Sequence, residues 1–196
     1  MIRHGICDWL HWHDAARRKV KTMNILETER LLLRRLEWAD LEDLYRMYSD
    51  PVGRRYFPEG TLTLQETREE LEWFLNGHPR HPELGLWATI LKENSCFIGR
   101  CGLLPWTIDG VDEVEVAYAL SQEFWGHGLA TEAARGIVDY AWQQLGLTRL
   151  VCLIDRENQA SQRVAEKIGM RFEKEGRDDK GPFLLYSMKK DSPALV

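Results

Sequence analysis

The 196-residue chain has no stretch of about 18 consecutive apolar residues, and its first residues lack the uninterrupted apolar core of a secretory signal. Those absences exclude a helical membrane anchor, so the sequence predicts a soluble, cytoplasmic protein with no membrane partner. Positive charge is not in excess either. Its 26 Lys and Arg face 31 Asp and Glu, a net charge of -5, so no global basic field exists to hold nucleic acid. Cysteine is sparse. Cys7, Cys96, Cys101 and Cys152 form no CxxC pair and are too few for a disulfide scaffold, which leaves reduced and mostly buried thiols. His4, Cys7, His11 and His13 are ligand types at a spacing that fits no common zinc pattern, so no metal is expected. Repeats, low-complexity tracts and interdomain linkers are also missing. With 44% apolar residues, the length suits one domain with a single core.

What is present begins abruptly. Residues 1–23 show no clear period and carry Arg17-Arg18-Lys19, and composition shifts at Met23. They read as an N-terminal extension, with Met23 a candidate native start, ahead of a domain over 24–190 and a tail over 191–196. Leu31 to Arg35 reads as a first strand. Asp40 is expected to cap a helix bearing Leu41, Leu44, Tyr45 and Tyr48 at helical spacing, ended by Asp50-Pro51. Thr63 and Glu66 form a capping box for a second helix, closed by Asn76-Gly77 and Pro79. Leu86–Leu91 and Phe97–Leu103 read as a hairpin across Lys92 to Ser95, and Asp109-Gly110 marks the next turn. Val114 to Leu120 alternates, with Val114, Val116, Tyr118 and Leu120 on one face and Glu115 on the other. A helix over about Leu129–Leu145, a strand over Arg149–Ile154, a helix over Ala160–Ile168 and two strands around Gly176 to Pro182 complete the pattern.

The segment Trp125-Gly126-His127-Gly128-Leu129-Ala130-Thr131 carries the chemistry. A strand feeding a glycine turn into a helix aims unpaired N-H groups and the positive end of the helix dipole at one point, which attracts an anion. Gly126 and Gly128 keep side chains away, and Thr131 adds a hydroxyl. A dinucleotide site is the competing reading, because Asp155 ends the next strand. Three features oppose it: Thr131 stands at the third glycine position, the leading strand alternates rather than reading as a buried parallel strand, and about 40 residues after Asp155 are too few for further strand-helix units.

Three segments, taken together, resemble the GNAT N-acetyltransferases and within them the RimJ/RimL-like group. They are Leu26 to Arg34 (Leu-Glu-Thr-Glu-Arg-Leu-Leu-Leu-Arg), Phe124 to Ala133, and Asp155 to Ser161 continuing to Glu166 through Phe172. The resemblance spans residues 24–190. It implies an α/β (α+β) fold with a mixed, mostly antiparallel sheet splayed at its middle and flanked by helices. It also implies acetyl-CoA as cosubstrate, with pyrophosphate on residues 125–131 and pantetheine pairing with the backbone of Ala117, Tyr118, Ala119 and Leu120. Asn158 and Ser161 would contact the cofactor. Two departures are visible. Trp125 stands where the wider superfamily has Arg or Gln, and the superfamily's frequent catalytic Tyr aligns with Ala165.

Acyl transfer to an amine needs a neutral nucleophile, a polarised carbonyl and a stabilised thiolate. Glu115 is the candidate base, with Glu113, a water chain or no dedicated base as alternatives, and a solvated or ion-paired Glu115 as the plain one. Ser161 is the candidate hydroxyl for the thiolate; alternatively Asn158 and Ser161 simply start the helix. By the same resemblance, Arg54-Arg55-Tyr56-Phe57 and Asp178 to Phe183 line the acceptor side, and Trp87 and Trp106 are candidate aromatic walls, each with a core position as its plain reading. The expected acceptor is a small-molecule amine or a protein N-terminus, and the expected assembly a monomer or homodimer. A noncatalytic acyl-CoA-binding domain is the alternative.

Overall fold

A computed structural model describes residues 24–78, 81–178 and 181–190. Within them the chain runs β1 (Asn24–Glu27), β2 (Leu31–Arg35), α1 (Leu41–Tyr48), α2 (Pro51–Arg54), α3 (Leu64–Asn76), β3 (Gly85–Leu91), β4 (Cys96–Ile108), β5 (Val111–Leu120), α4 (Leu129–Gln143), β6 (Arg149–Ile154), α5 (Gln159–Lys167), β7 (Arg171–Asp178) and β8 (Gly181–Lys189). The strands form one sheet in the order β1-β2-β3-β4-β5-β6-β8-β7. Every neighbouring pair is antiparallel except β5 and β6, which are parallel and register only at Glu115 and Val151. Beyond that pair the two strands part, which gives the mixed, splayed sheet expected from the sequence.

Alternation on the central strands feeds a core on each face. Leu31, Leu33, Trp87, Ile98 and Leu103 pack with Ala133, Ile137 and Ala141 of α4. Ala88 and Ile90 pack with Leu44, Met47 and Tyr48 of α1 and Leu71 of α3. Neighbours Trp87 and Ala88 thus serve opposite cores, as the two-residue strand period requires.

Several boundaries differ from expectation for local reasons. β1 was not among the expected strands; it is a four-residue edge strand with a bulge against β2. β4 runs past Leu103 through Pro105 because its pairing with β3 stops at Leu103, leaving an open side where a missing N-H costs no ladder bond. Asp40 precedes α1 in helical conformation and makes no side-chain cap. Its carboxylate instead accepts both terminal nitrogens of Arg34, at 2.7 and 2.6 Å, and the Glu37 N-H at 2.9 Å. β7 and β8 pair as far as Asp178 and Gly181, so Gly176 and Pro182 are strand residues. The Thr63–Glu66 capping box forms as expected. No helix among the described residues is long and apolar enough to cross a membrane.

Candidate active site

α4 begins at Gly128, in left-handed conformation at φ 77°, two residues after Gly126 at φ 80°. Helix geometry leaves the N-H groups of Leu129, Ala130 and Thr131 without intrahelical acceptors, and no side chain caps them. A side chain at Gly126 would meet open space. The turn is held from the far end of the sheet. Arg30 Nε donates to Glu132 Oε2 at 2.6 Å and its Nη1 to the His127 carbonyl at 3.1 Å; Thr28 Oγ1 and the Arg30 N-H donate to Glu132 Oε1 at 2.6 and 2.8 Å. Burial pushes the Glu132 carboxyl up, but these donors outweigh it and hold it below the usual carboxylate range. Gly136 admits this close approach, since a Cβ there would sit 2.9 Å from Thr28 Cγ2 and 3.1 Å from Leu26 Cδ1.

The Trp125 indole N-H is already engaged: its Nε1 donates to the Leu120 carbonyl at 2.7 Å, pinning the turn to the end of β5. His127 contributes its carbonyl to the Arg30 clasp and does not line the cavity. That cavity, about 350 Å³, is lined by Ala119, Leu120, Trp125, Gly126 and Gly128 to Thr131 from the expected set. Arg55, Arg163 and Lys167 also line it. These cations come from α2's end and α5, elements distant in sequence, so no local motif marks them.

A second cavity of about 580 Å³ opens on the other side of the splay. Tyr56, Phe57, Tyr118, Asn158 and Ser161 line both. At this junction Ser161 Oγ donates to the Tyr118 hydroxyl at 3.1 Å, while that hydroxyl donates to the Ser161 carbonyl at 3.0 Å. Asn158 Oδ1 accepts the Ser161 N-H at 3.1 Å and caps α5. Burial, reinforced by the nearby Cys152 and Glu115, pushes the Tyr118 phenol well above its ordinary range, with the Ser161 hydrogen bond pulling the other way. The phenol therefore keeps its proton. Ala165 is fully buried, and Tyr118 brings a hydroxyl to the junction from the opposite lip.

Glu115 and Trp106 line the second cavity with Ala117. Trp106 Nε1 donates to Glu115 Oε2 at 2.6 Å and the Leu153 N-H to Oε1 at 3.4 Å, so the carboxylate is oriented across the split. Glu113 instead receives Arg149 Nε at 3.0 Å on both oxygens, within a network reaching Glu173, and does not line the cavity. Trp87 is 3% exposed and packs edge-on to Tyr140, with ring centres 5.5 Å apart; it is a core residue, not a substrate wall. Cys152 donates its thiol to the Val116 carbonyl at 3.1 Å, and burial raises its pKa well above normal, so it remains a thiol. Among the described residues, no group of three or more His, Cys, Asp or Glu is placed to hold a metal ion. His4, Cys7, His11, His13, Met23, Pro79, Asp179 and Lys180 lie outside the described residues.

The family model described as acetyltransferase (GNAT) domain matches residues 30–171. YkkB of Bacillus subtilis is 34% identical over 165 residues, covering 84% of this chain and 95% of that protein. An acetyltransferase structure from Agrobacterium tumefaciens superposes with a TM-score of 0.70 at 26% identity, over 91% of this chain and all of that one. The ribosomal L7/L12 N-acetyltransferase RimL, solved with coenzyme A, has a TM-score of 0.69 at 15% identity, covering 85% and 97%, a likeness of fold.

Proposed function

The chain belongs to the GNAT acetyltransferase family, and from that premise we infer that it moves an acetyl group from acetyl-CoA to a primary amine by direct attack in a ternary complex. The observation that carries this reading is the meeting of two cavities at Tyr118, Asn158 and Ser161, one ending at the bare N-terminus of α4. The first cavity suits coenzyme A. Its pyrophosphate would rest on the N-H groups of residues 129–131, with Arg55, Arg163 and Lys167 supplying the charge that Trp125 does not. The pantetheine amides would pair with Ala117 to Leu120, whose edge facing β6 has no strand partner beyond Glu115. The second cavity takes the amine, either a small molecule or a protein N-terminus.

Glu115, held by Trp106, takes the proton of the incoming ammonium, directly or through water. The nitrogen then bonds to the thioester carbon as the carbon-sulfur bond breaks, and the second proton it must shed to become the amide passes to solvent. A β5 N-H near Ala119 or Leu120 polarises the carbonyl oxygen, a role worth about 2.7 to 4 kcal/mol where such donors have been removed. Rotation of two O-H bonds turns Ser161 toward the departing sulfur and Tyr118 toward Ser161. The thiolate leaves into a chain of two donors, and solvent supplies its proton on release. Thiol release measured with acetyl-CoA and a panel of amines and N-terminal peptides tests the reading. Acceptor-dependent release is expected; coenzyme A binding with no release to any acceptor would make this a binding domain instead.

A further inference from the structure

The amine cavity has an inner end that the transfer chemistry leaves unused. Arg100, Leu104 and Trp106 alternate along β4 and all line the cavity. Leu104 stands opposite Glu115 and Arg100 opposite Ala119. Residues directly opposite in an antiparallel pair share a face, so Glu115 and Arg100 rise from one surface. Four residues separate their positions, roughly 13 Å of backbone at about 3.4 Å per residue. Both side chains line the one cavity, so a small molecule lying in it can meet both.

Arg100 is 7% exposed, and its Nε has no hydrogen-bond partner among the described residues. Its Nη2 comes only within 3.7 Å of Glu70, whose Oε1 already accepts the Tyr48 hydroxyl at 2.6 Å. Arg54 lies against the same rings. It is 3% exposed, donates Nε to the Gly60 carbonyl at 2.7 Å, and holds Nη2 3.7 Å from Glu59. Arg54 stacks on Tyr48 and Phe57 with its guanidinium carbon 5.1 and 4.3 Å from the ring centres, and Arg100 does so at 5.2 and 5.8 Å. Burial first, and the charge of Arg100 second, push the Arg54 pKa down. Each guanidinium has a carboxylate at 3.7 Å, and against its burial the Arg100 pKa is held up by Tyr48 and Glu70. The Arg100 Nε nevertheless stays a buried donor with no acceptor among the described residues, a costly arrangement for a charged group. A planar two-oxygen anion would fill that vacancy in the geometry guanidinium prefers.

We propose that Arg54 and Arg100 bind a carboxylate of the acceptor, so that the molecule acetylated is a small amino-acid-like zwitterion, its amine at Glu115 and its carboxylate at the two guanidiniums. The proposal rests on the acetyltransferase reading for which end is the amine. Glu115, Asp155 and Asp178 in the same lining disfavour a purely anionic ligand and favour one carrying both charges.

The test compares matched acceptors with the full chain and acetyl-CoA: ω-amino carboxylates of three to six carbons and the common L-amino acids, each against its carboxamide, and diamines of equal length. Thiol release should favour carboxylates over their amides by at least tenfold in kcat/KM. Arg100→Gln should raise KM for the carboxylate about 10- to 100-fold while kcat and KM for acetyl-CoA change little. Arg54→Lys, which keeps the charge without the fork, guards against a folding defect at Arg100. Release with amides or diamines equal to or above the carboxylates would overturn the proposal and leave the acetyltransferase standing. If no acceptor releases thiol, the transfer reading falls, and the melting temperature of the coenzyme A complex decides the site: stabilisation by the carboxylates alone, lost in Arg100→Gln, upholds it, and none overturns it.

Discussion

Ser161 uses two atoms for two purposes, its N-H received by Asn158 and its hydroxyl placed on Tyr118. The helix-capping reading open in the sequence is seen in Asn158, and it leaves the Ser161 hydroxyl free of the cap for the proposed cofactor contact. Tyr118→Phe and Ser161→Ala should each lower kcat about 10- to 100-fold, the low side of the range for a lost donor to developing negative charge, with KM for acetyl-CoA nearly unchanged. Steady-state kinetics decides this, and full turnover in both variants would remove the pair from the mechanism. Because the Tyr118 phenol is raised above its ordinary value near 10, the protonated donor persists throughout the neutral and mildly alkaline range. A kcat profile should then show no alkaline fall from this group below about pH 10. Ser161 was legible because it sits in a recognisable segment. The phenol of Tyr118 was not, since it meets Ser161 from 43 residues earlier, and alternation placed it on the face opposite Glu115. Both still line the amine cavity, beside the point where β5 parts from β6. Trp87 and Trp106 look equivalent in sequence; only strand register sends one into the core and the other onto Glu115.

At the scale of elements, the turn that opens α4 depends on the β1–β2 connection. The similarity of the segment from Leu26 to Arg34 was legible, but its reason was not: Thr28 and Arg30 fasten α4 rather than touch the reacting groups. Glu132→Gln should raise KM for acetyl-CoA several-fold, with a smaller change in kcat, since it loosens the turn and leaves the junction intact. The pH dependence has a definite sign. The folded carboxyl lies below its unfolded value near 4.3, so its stabilisation is complete above that pH and is lost as pH falls through the folded value. The gap in melting temperature between wild type and Glu132→Gln should hold from pH 5 upward and close in more acid buffer. Asp40 shows the limit of local rules. The residue type fits a cap, but a neighbouring arginine offers two charge-assisted bonds and wins the side chain.

For the whole molecule, fold class and element order were readable because alternation, capping boxes and glycine turns agree with one another. The split between β5 and β6 has no local sign, since Val114–Leu120 reads as an ordinary alternating strand and Arg149–Ile154 as an apolar one; the family resemblance implied it, and only their pairing, which stops at Glu115, displays it. A ligand that fills the gap should join the two halves of the sheet. Coenzyme A at 100 times its Kd should add about 2.7 kcal/mol, or about 5 to 11 °C in melting temperature for a domain of this size. A thermal scan that stays flat with coenzyme A but rises with NAD would return the dinucleotide reading. The Arg30–Glu132 clasp also sets a schedule for assembly on the ribosome. Its partners are 102 positions apart, so at about 5 to 20 residues per second the first hairpin waits on the order of 5 to 20 s for α4. During that interval the Leu31 and Leu33 face of the hairpin lacks the helix that covers it in the fold, while the Leu32 face can already meet α1 and α3.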